Sequence, residues 1–348
     1  MKPYRAKKKN NPELTLQKEQ KLYQLYEKDH IGAFDAYKSC KNVVVFGEPH
    51  RGKSTVINSL LGHELKSIPD SEWNDEFLID LVNRDREPQL EISYNLHYSP
   101  KHTELTPTQA EDITIWECPT LCKNIDDKLQ MDEFPIIMQL LKTLDSVKFI
   151  YVAEYNDIFE GCRGQNFSFA VDVVARIFSN IDIIKKSILL VVTKAPPGSN
   201  KKFIADRINE LAHAHEIPKN TQKMMKYFNE SSIYVFSTPE KENEELEGPK
   251  LAHIAGLSFC DVSGSIQYPR LSPLNQELAL NMLQELQEEE AQQQLEQAGI
   301  DTENISNAGF FIKIVDFLYD TLSGISILSK ASHYAGEILM AFGSLIGI

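Results

Sequence analysis

The chain has no run of about 18 apolar residues, so its sequence offers no ordinary membrane-spanning helix. It has no Cys-x-x-Cys pair, and its cysteines (Cys40, Cys118, Cys122, Cys162 and Cys260) are odd in number and scattered. That pattern argues against a zinc site and against a disulfide framework, and it fits reduced thiols in a cytosolic setting. A secretory leader is not expected, because the charged start runs into polar residues rather than an apolar core. Positive charge is scarce: 36 Lys and Arg stand against 50 Asp and Glu, for a formal net charge of −14. Nucleic acid is not an expected partner of so acidic a chain, since phosphate contacts need clustered Lys and Arg. The local exception is "MKPYRAKKK" at the start, basic and without an acid. It reads as a solvated tail, and the sharper alternative is a weak contact with an anionic membrane or RNA.

What is present supports one large domain with helical additions. Residues 13–38 carry apolar side chains at helical spacing, which predicts a helix behind the basic tail and sets aside 1–40 as an N-terminal extension. From 41 to 264 strand-like and helix-like segments alternate. "NVVVF", "DITIWEC", "VKFIYVAEY", "SILLVVTK" and "SSIYVFS" read as strands. "KSTVINSLLG", "DEFPIIMQLLKTL", "NFSFAVDVVARIF" and "NKKFIADRINELAHAH" read as helices. "QLEISYNLHY" alternates like a further strand, and 63–88 reads as polar and irregular. The expectation is an α/β fold with a mostly parallel sheet covered by helices on both faces. Beyond 264 the style changes. Ser272 and Pro273 mark a helix start, Leu274, Leu278, Met282 and Leu286 follow at fours, and Gly299 ends the pattern. Residues 265–308 therefore form a Glu/Gln-rich helix. Residues 309–348 form an apolar helical tail that packs back on the domain or meets a membrane or partner.

The stretch that carries chemistry is Gly47-Glu48-Pro49-His50-Arg51-Gly52-Lys53-Ser54, which fits G-x-x-x-x-G-K-[ST] at every fixed position. It follows an apolar strand and opens a helix, the context that such a phosphate-binding loop requires. Glycines let the backbone wrap an anion without a clashing side chain. Backbone N–H groups and the helix N-terminus, through Thr55, favour negative charge there. Lys53 would reach the β- and γ-phosphates and Ser54 would ligate Mg2+.

"FGEPHRGKSTVINSLLG" is similar to the start of translation-factor-class GTPases, and within them it resembles septins and immunity-associated GTPases, whose loop continues K-S-T-x-x-N-x-L-x-G. Asn58 and Leu60 match that continuation. The resemblance covers about residues 41–240 and implies a G-domain fold, GTP/GDP with Mg2+, and a further set of motifs. The family's Asp-x-x-Gly becomes Glu117-Cys118-Pro119-Thr120, so Glu117 stands where the aspartate that holds a Mg2+-bound water would be, and Thr120 replaces the γ-phosphate-sensing glycine. The family's [NT]-K-x-D becomes Thr193-Lys194-Ala195-Pro196: Thr193 and Lys194 match, with Lys194 along the base, but Pro196 cannot accept the guanine N–H groups. Ser237 matches a fifth motif. The second motif needs a threonine, and none occurs between Thr55 and Thr103. Ser67 and Ser71 lie in the expected region, whereas Thr103, Thr106 and Thr108 come late, so the switch reads as rebuilt or absent.

Two arginines are candidates for neutralising charge during phosphoryl transfer. Arg51 lies within the loop, one position after the arginine that guanylate-binding proteins carry there. Arg163 lies in "FEGCRGQNF", between a strand and the next helix, beside the crevice at the strands' carboxyl ends. It would act in cis, or in trans across a homodimer formed on the nucleotide face, and His50 would touch the partner's nucleotide in such a dimer. Cys118 and Cys122 read as buried or incidental thiols, and Trp116, on an alternating strand, reads as core. The sequence thus supports a Mg2+-dependent, slow GTPase, cytoplasmic or peripheral to a membrane, whose nucleotide state controls self-association or an unknown protein partner. The alternatives are a catalytically degenerate pseudo-GTPase serving as a nucleotide-stabilised module, and an NTPase that prefers ATP/ADP.

Overall fold

The computed structural model describes residues 32–69, 77–83, 85, 87, 90, 92, 105, 107–119, 128–160, 164–213 and 217–267. The chain divides into two compact units, Met1–Glu277 and Leu278–Ile348, and every described residue belongs to the first. The expected helix over 13–38 lies mostly outside these residues. The part that is described, 32–38, is a turn containing a 3-10 segment at Asp35–Tyr37. The apolar tail, and the Glu/Gln-rich segment apart from 265–267, also lie outside them. Among the described residues no helix is long and apolar enough to cross a membrane.

Strand β1 (Lys41–Gly47) is the axis of the fold. Its residues Asn42–Phe46 are all buried, which suits a central parallel strand covered on both faces. On one side β1 pairs in parallel with β5 (Ile113–Glu117), and beyond β5 lies the antiparallel edge strand β4 (Pro107–Ala110). On its other side β1 pairs in parallel with β6 (Val147–Glu154), which is followed by β7 (Ile188–Ala195) and β8 (Ile233–Ser237). The sheet order is β4-β5-β1-β6-β7-β8. It is the mostly parallel α/β sheet that the alternating segments foretold. The chain leaves β1 for one side and later returns to the other, so the crevice at β1's carboxyl end is a topological switch point, where such sheets bind ligands.

Helix α1 (Lys53–Leu60) follows β1 and ends before Gly62, whose φ of 81° supplies the left-handed turn that closes it. Its Val56, Ile57 and Leu60 pack with Val43, Val45, Ile115, Ile150 and Val152 into one buried cluster. On the opposite face Phe46 stacks on Phe149 at 5.9 Å, and Phe149 meets Phe178 edge-on at 5.7 Å. Helix α2 (Lys128–Thr143) precedes β6, and the short α3 (Tyr155–Phe159) and α4 (Gln165–Ala175) follow it. Helix α5 (Lys201–Ala212) and α6 (Lys219–Tyr227) lie between β7 and β8.

The sequence reading of 63–88 as irregular is corrected. Strands β2 (Leu65–Pro69) and β3 (Phe77–Leu81) pair antiparallel, and β9 (Glu245–Leu246) completes a separate three-stranded sheet. Its signal was masked because the inward position between Leu65 and Pro69 is the polar Ser67, fully buried. Of "QLEISYNLHY", only Leu90 and Ile92 are described, and neither lies in a strand. A short helix, α7 (Leu251–Ala255), follows β9, and a 3-10 segment at Ser263–Ser265 comes after it.

Trp116 is core, as its place on an alternating strand implied. Its ring is 1% exposed and meets Phe34 and Tyr37 edge-on at 5.6 and 5.0 Å. Its indole N–H donates to Asn42 Oδ1 at 2.9 Å, and Asn42 in turn donates to the carbonyls of Tyr37 and Cys40. Trp116→Ala should cost about 3–5 kcal/mol, because it opens a cavity and leaves Asn42 short of a partner. A chemical denaturation midpoint compared with that of wild type measures this.

Candidate nucleotide-binding site

The loop between β1 and α1 has the geometry its sequence requires. Gly47 lies so close to β6 that a Cβ would sit 2.6 Å from the Val152 carbonyl oxygen, so only glycine fits. Gly52 has a φ of 86°, a left-handed conformation that glycine adopts without penalty. Lys53 is nearly buried, and its ammonium donates to the carbonyls of Gly47 and Glu48 at 3.0 and 3.1 Å. Its Nζ is therefore aimed across the mouth of the loop. His50 is exposed at the loop's tip with a φ of 58°. Burial lowers its pKa first, and the charges of Lys194, Lys53 and Arg51 lower it further.

Ser54 and Glu117, proposed from sequence as metal ligands, are brought together. Val45 of β1 pairs with Glu117 of β5, and Cys118 N donates to Val45 O at 3.0 Å, which sets Glu117 just below the loop. Ser54 Oγ donates to Glu117 Oε1 at 2.9 Å. Glu117 Oε2 is buried and has no hydrogen-bond partner among the described residues. A buried carboxylate oxygen left without a donor costs free energy, so this one calls for a ligand. An all-oxygen pair beside a phosphate loop suits Mg2+, which keeps most of its waters and needs few protein groups. The residues present therefore fit the ion. Among the described residues no group of three or more His, Cys, Asp or Glu forms a protein-only metal cage. Cys118 beside Glu117 is fully buried, and burial pushes its thiol pKa up, so it is an inert side chain of the core.

Arg51 is not aimed at the space in front of the loop. Its guanidinium spans the ends of β6 and α3: Nη1 donates to Glu154 Oε2 at 2.5 Å and Nη2 to Asp157 Oδ1 at 2.8 Å. Nε also lies 2.8 Å from Asp157 Oδ2, an ion pair whose N–H is poorly aligned for a hydrogen bond. In this arrangement Arg51, expected from sequence as a charge-neutralising residue, ties the loop to Glu154 and Asp157. Glu154 and Asp157 were missed in the sequence because they lie 103 and 106 residues from Arg51. The available signal was their place at a strand's carboxyl end, beside the crevice. Arg163, the other candidate, lies outside the described residues. Thr120, Ser71, Thr103 and Thr106 do too. Thr108 lies on the edge strand β4.

Strand β7 also meets the loop. Thr193, buried on β7, donates its hydroxyl to Arg51 O at 2.7 Å. Lys194 follows with a φ of 50°, where the pairing of β7 with β8 is irregular, and its exposed Nζ lies 3.3 Å from Glu154 Oε2. Pro196 begins a surface turn closed by Ser199 N, which donates to Pro196 O at 3.1 Å. Ser237 ends β8, and Thr238 N donates to Ala195 O at 2.8 Å, joining the two segments. Ser67, expected in a switch, instead pins the chain after Ser237: its hydroxyl donates to Lys241 O at 2.5 Å and accepts from Glu244 N at 2.8 Å. Asn58 holds the backbone of Leu90 at both its N–H and its carbonyl, each at 2.8 Å.

Loop, helix and switch-point sheet together define a P-loop domain of G-domain type. No family model matches the chain, and no curated protein matches it. Among solved structures, the chain is similar to Toc33 from Arabidopsis thaliana in complex with GDP and Mg2+ (16% identity, TM-score 0.37, covering 71% of this chain and 96% of that one). It is also similar to a probable GTP-binding protein engB (13% identity, TM-score 0.30, 56% and 88% covered). A third match is a chain of an oligomerised bacterial dynamin pair (14% identity, TM-score 0.32, 64% and 45% covered).

Proposed function

We propose that this domain binds a guanine nucleotide with Mg2+, that Lys53 and the loop amides hold its phosphates, and that Ser54 and Glu117 hold the ion. The observation that carries this reading is the unsatisfied Glu117 Oε2 beside Ser54, directly under an intact phosphate loop. When bound, Mg2+ supplies neutralisation of the charge on the β- and γ-phosphate oxygens. Lys194 would lie along the base, with Ser237 beside it. In this proposal hydrolysis is slow and nucleotide state governs self-association across the nucleotide face, with Arg163 and His50 toward the partner copy, or governs binding of another protein. A cytoplasmic or peripheral-membrane location, the latter through the apolar tail, belongs to the same proposal.

A second reading has a specific observation behind it. Arg51 is engaged behind the loop and Pro196 offers no base acceptor, so the domain would serve as a nucleotide-stabilised module without turnover. Calorimetric titration with GDP, GTP and ATP, with and without Mg2+, combined with a phosphate-release assay, separates the two. Tight Mg2+-dependent guanine binding with release that disappears in Lys53→Ala supports the slow enzyme. The same binding with no release supports the module. Tighter binding of ATP than of GTP would contradict the guanine assignment.

A further inference from the structure

The segment His50-Arg51-Gly52 places two left-handed residues around one arginine, and His50 bears a steric cost there that glycine does not. Such a shape persists only when its surroundings over-determine it. Two anchors do so, and both act on Arg51. Its carbonyl accepts the Thr193 hydroxyl at 2.7 Å, and its guanidinium bridges Glu154 and Asp157. The acids are themselves held, since Glu154 N donates to Asp157 Oδ2 at 3.3 Å. They are also shielded: the side chains of Arg51, Glu154 and Asp157 are only 25%, 15% and 9% exposed.

Two carboxylates beside a phosphate site would repel the ligand unless cations neutralise them. Here Arg51 faces both, and Glu48 of the loop itself at 3.7 Å, while Lys194 faces Glu154. Arg51 Nη1 and Lys194 Nζ meet the same oxygen, Glu154 Oε2, at 2.5 and 3.3 Å. One carboxylate oxygen thus ties the phosphate loop to the base-side lysine. Burial raises the Asp157 pKa and Arg51 opposes that rise, consistent with a carboxylate kept in place by its partner.

We propose that Glu154 and Asp157 are positioning residues for nucleotide binding: through Arg51 they fix the shape of the phosphate loop, and through Lys194 Glu154 ties that loop to the segment that receives the base. The proposal rests on the nucleotide reading above. A merely structural ion pair would weaken every ligand alike, whereas a shared carboxylate distinguishes a ligand with a base from one without.

The test uses the full chain, with Mg2+·GDP measured by calorimetry and Mg2+·pyrophosphate measured by its competition against labelled GDP. Asp157→Asn is expected to weaken both ligands by about tenfold, the scale of a lost charged hydrogen bond. Glu154→Gln is expected to weaken GDP several-fold more than pyrophosphate. Lys194→Met is expected to cost less GDP affinity in the Glu154→Gln background than in wild type. Glu154→Asp keeps the charge and the fold, but its carboxylate reaches only one cation, so it should show the same split at an unchanged melting temperature. Equal losses for the two ligands, or additive effects of Glu154→Gln and Lys194→Met, would overturn this inference and leave the nucleotide reading standing. Wild type that binds neither ligand would overturn both.

Discussion

Lys53→Ala should weaken nucleotide binding by about 100-fold or more while leaving the fold intact. The lysine is 8% exposed, and its ammonium is fixed by two carbonyls at the mouth of the loop. Its entropy on binding is therefore largely spent already, and its charge sits in a partly desolvated place where Coulomb attraction is strong. A charge-assisted bond to phosphate in such a site is worth about 1.5–3 kcal/mol, and more where both β- and γ-oxygens are engaged. Alanine also leaves the Gly47 and Glu48 carbonyls without that donor, which loosens the loop for any anion. Calorimetry with GDP, alongside circular dichroism and a melting curve to confirm folding, measures the effect. Wild-type affinity in a folded Lys53→Ala protein would remove the loop from the account.

Glu117→Gln should abolish the Mg2+-dependent part of nucleotide affinity and spare the part seen in chelator. The substitution preserves size, and glutamine's carbonyl oxygen can still accept from Ser54 as Glu117 Oε1 does now at 2.9 Å. What changes is the second oxygen. The buried Oε2 has no donor among the described residues, and in glutamine an NH2 group stands there, which repels a cation and the waters oriented by it. The expected outcome is a loss of about tenfold in GDP affinity with Mg2+ present and little change without it. Ser54→Ala should lose a similar amount, and the double variant should lose scarcely more than either, since both act through one ion. A Mg2+ titration at fixed GDP reads all three proteins.

The central strands and the loop were legible in the sequence because each follows a local rule. A continuous buried run gave β1, and the glycines and Lys53 gave the cradle. Ser54 and Glu117 were also legible as a pair, because the strand-end position of "WEC" fixes Glu117 relative to β1 once the sheet is parallel. The small sheet was not, because Ser67 looks solvent-facing in sequence, and its buried hydroxyl finds its hydrogen-bond partners more than 170 residues away. The partners of Arg51 were hidden for the same reason. A loop arginine has no local signature that separates an anchor from a finger, and Glu154 and Asp157 reach it only through the fold.

The most direct measurement is the affinity of wild-type protein for GDP with Mg2+ and with chelator. The account predicts a measurable dissociation constant that tightens by about tenfold or more when Mg2+ is present. Equal affinity in both conditions would contradict the Ser54–Glu117 metal site, and no binding in either would contradict the proposed function itself.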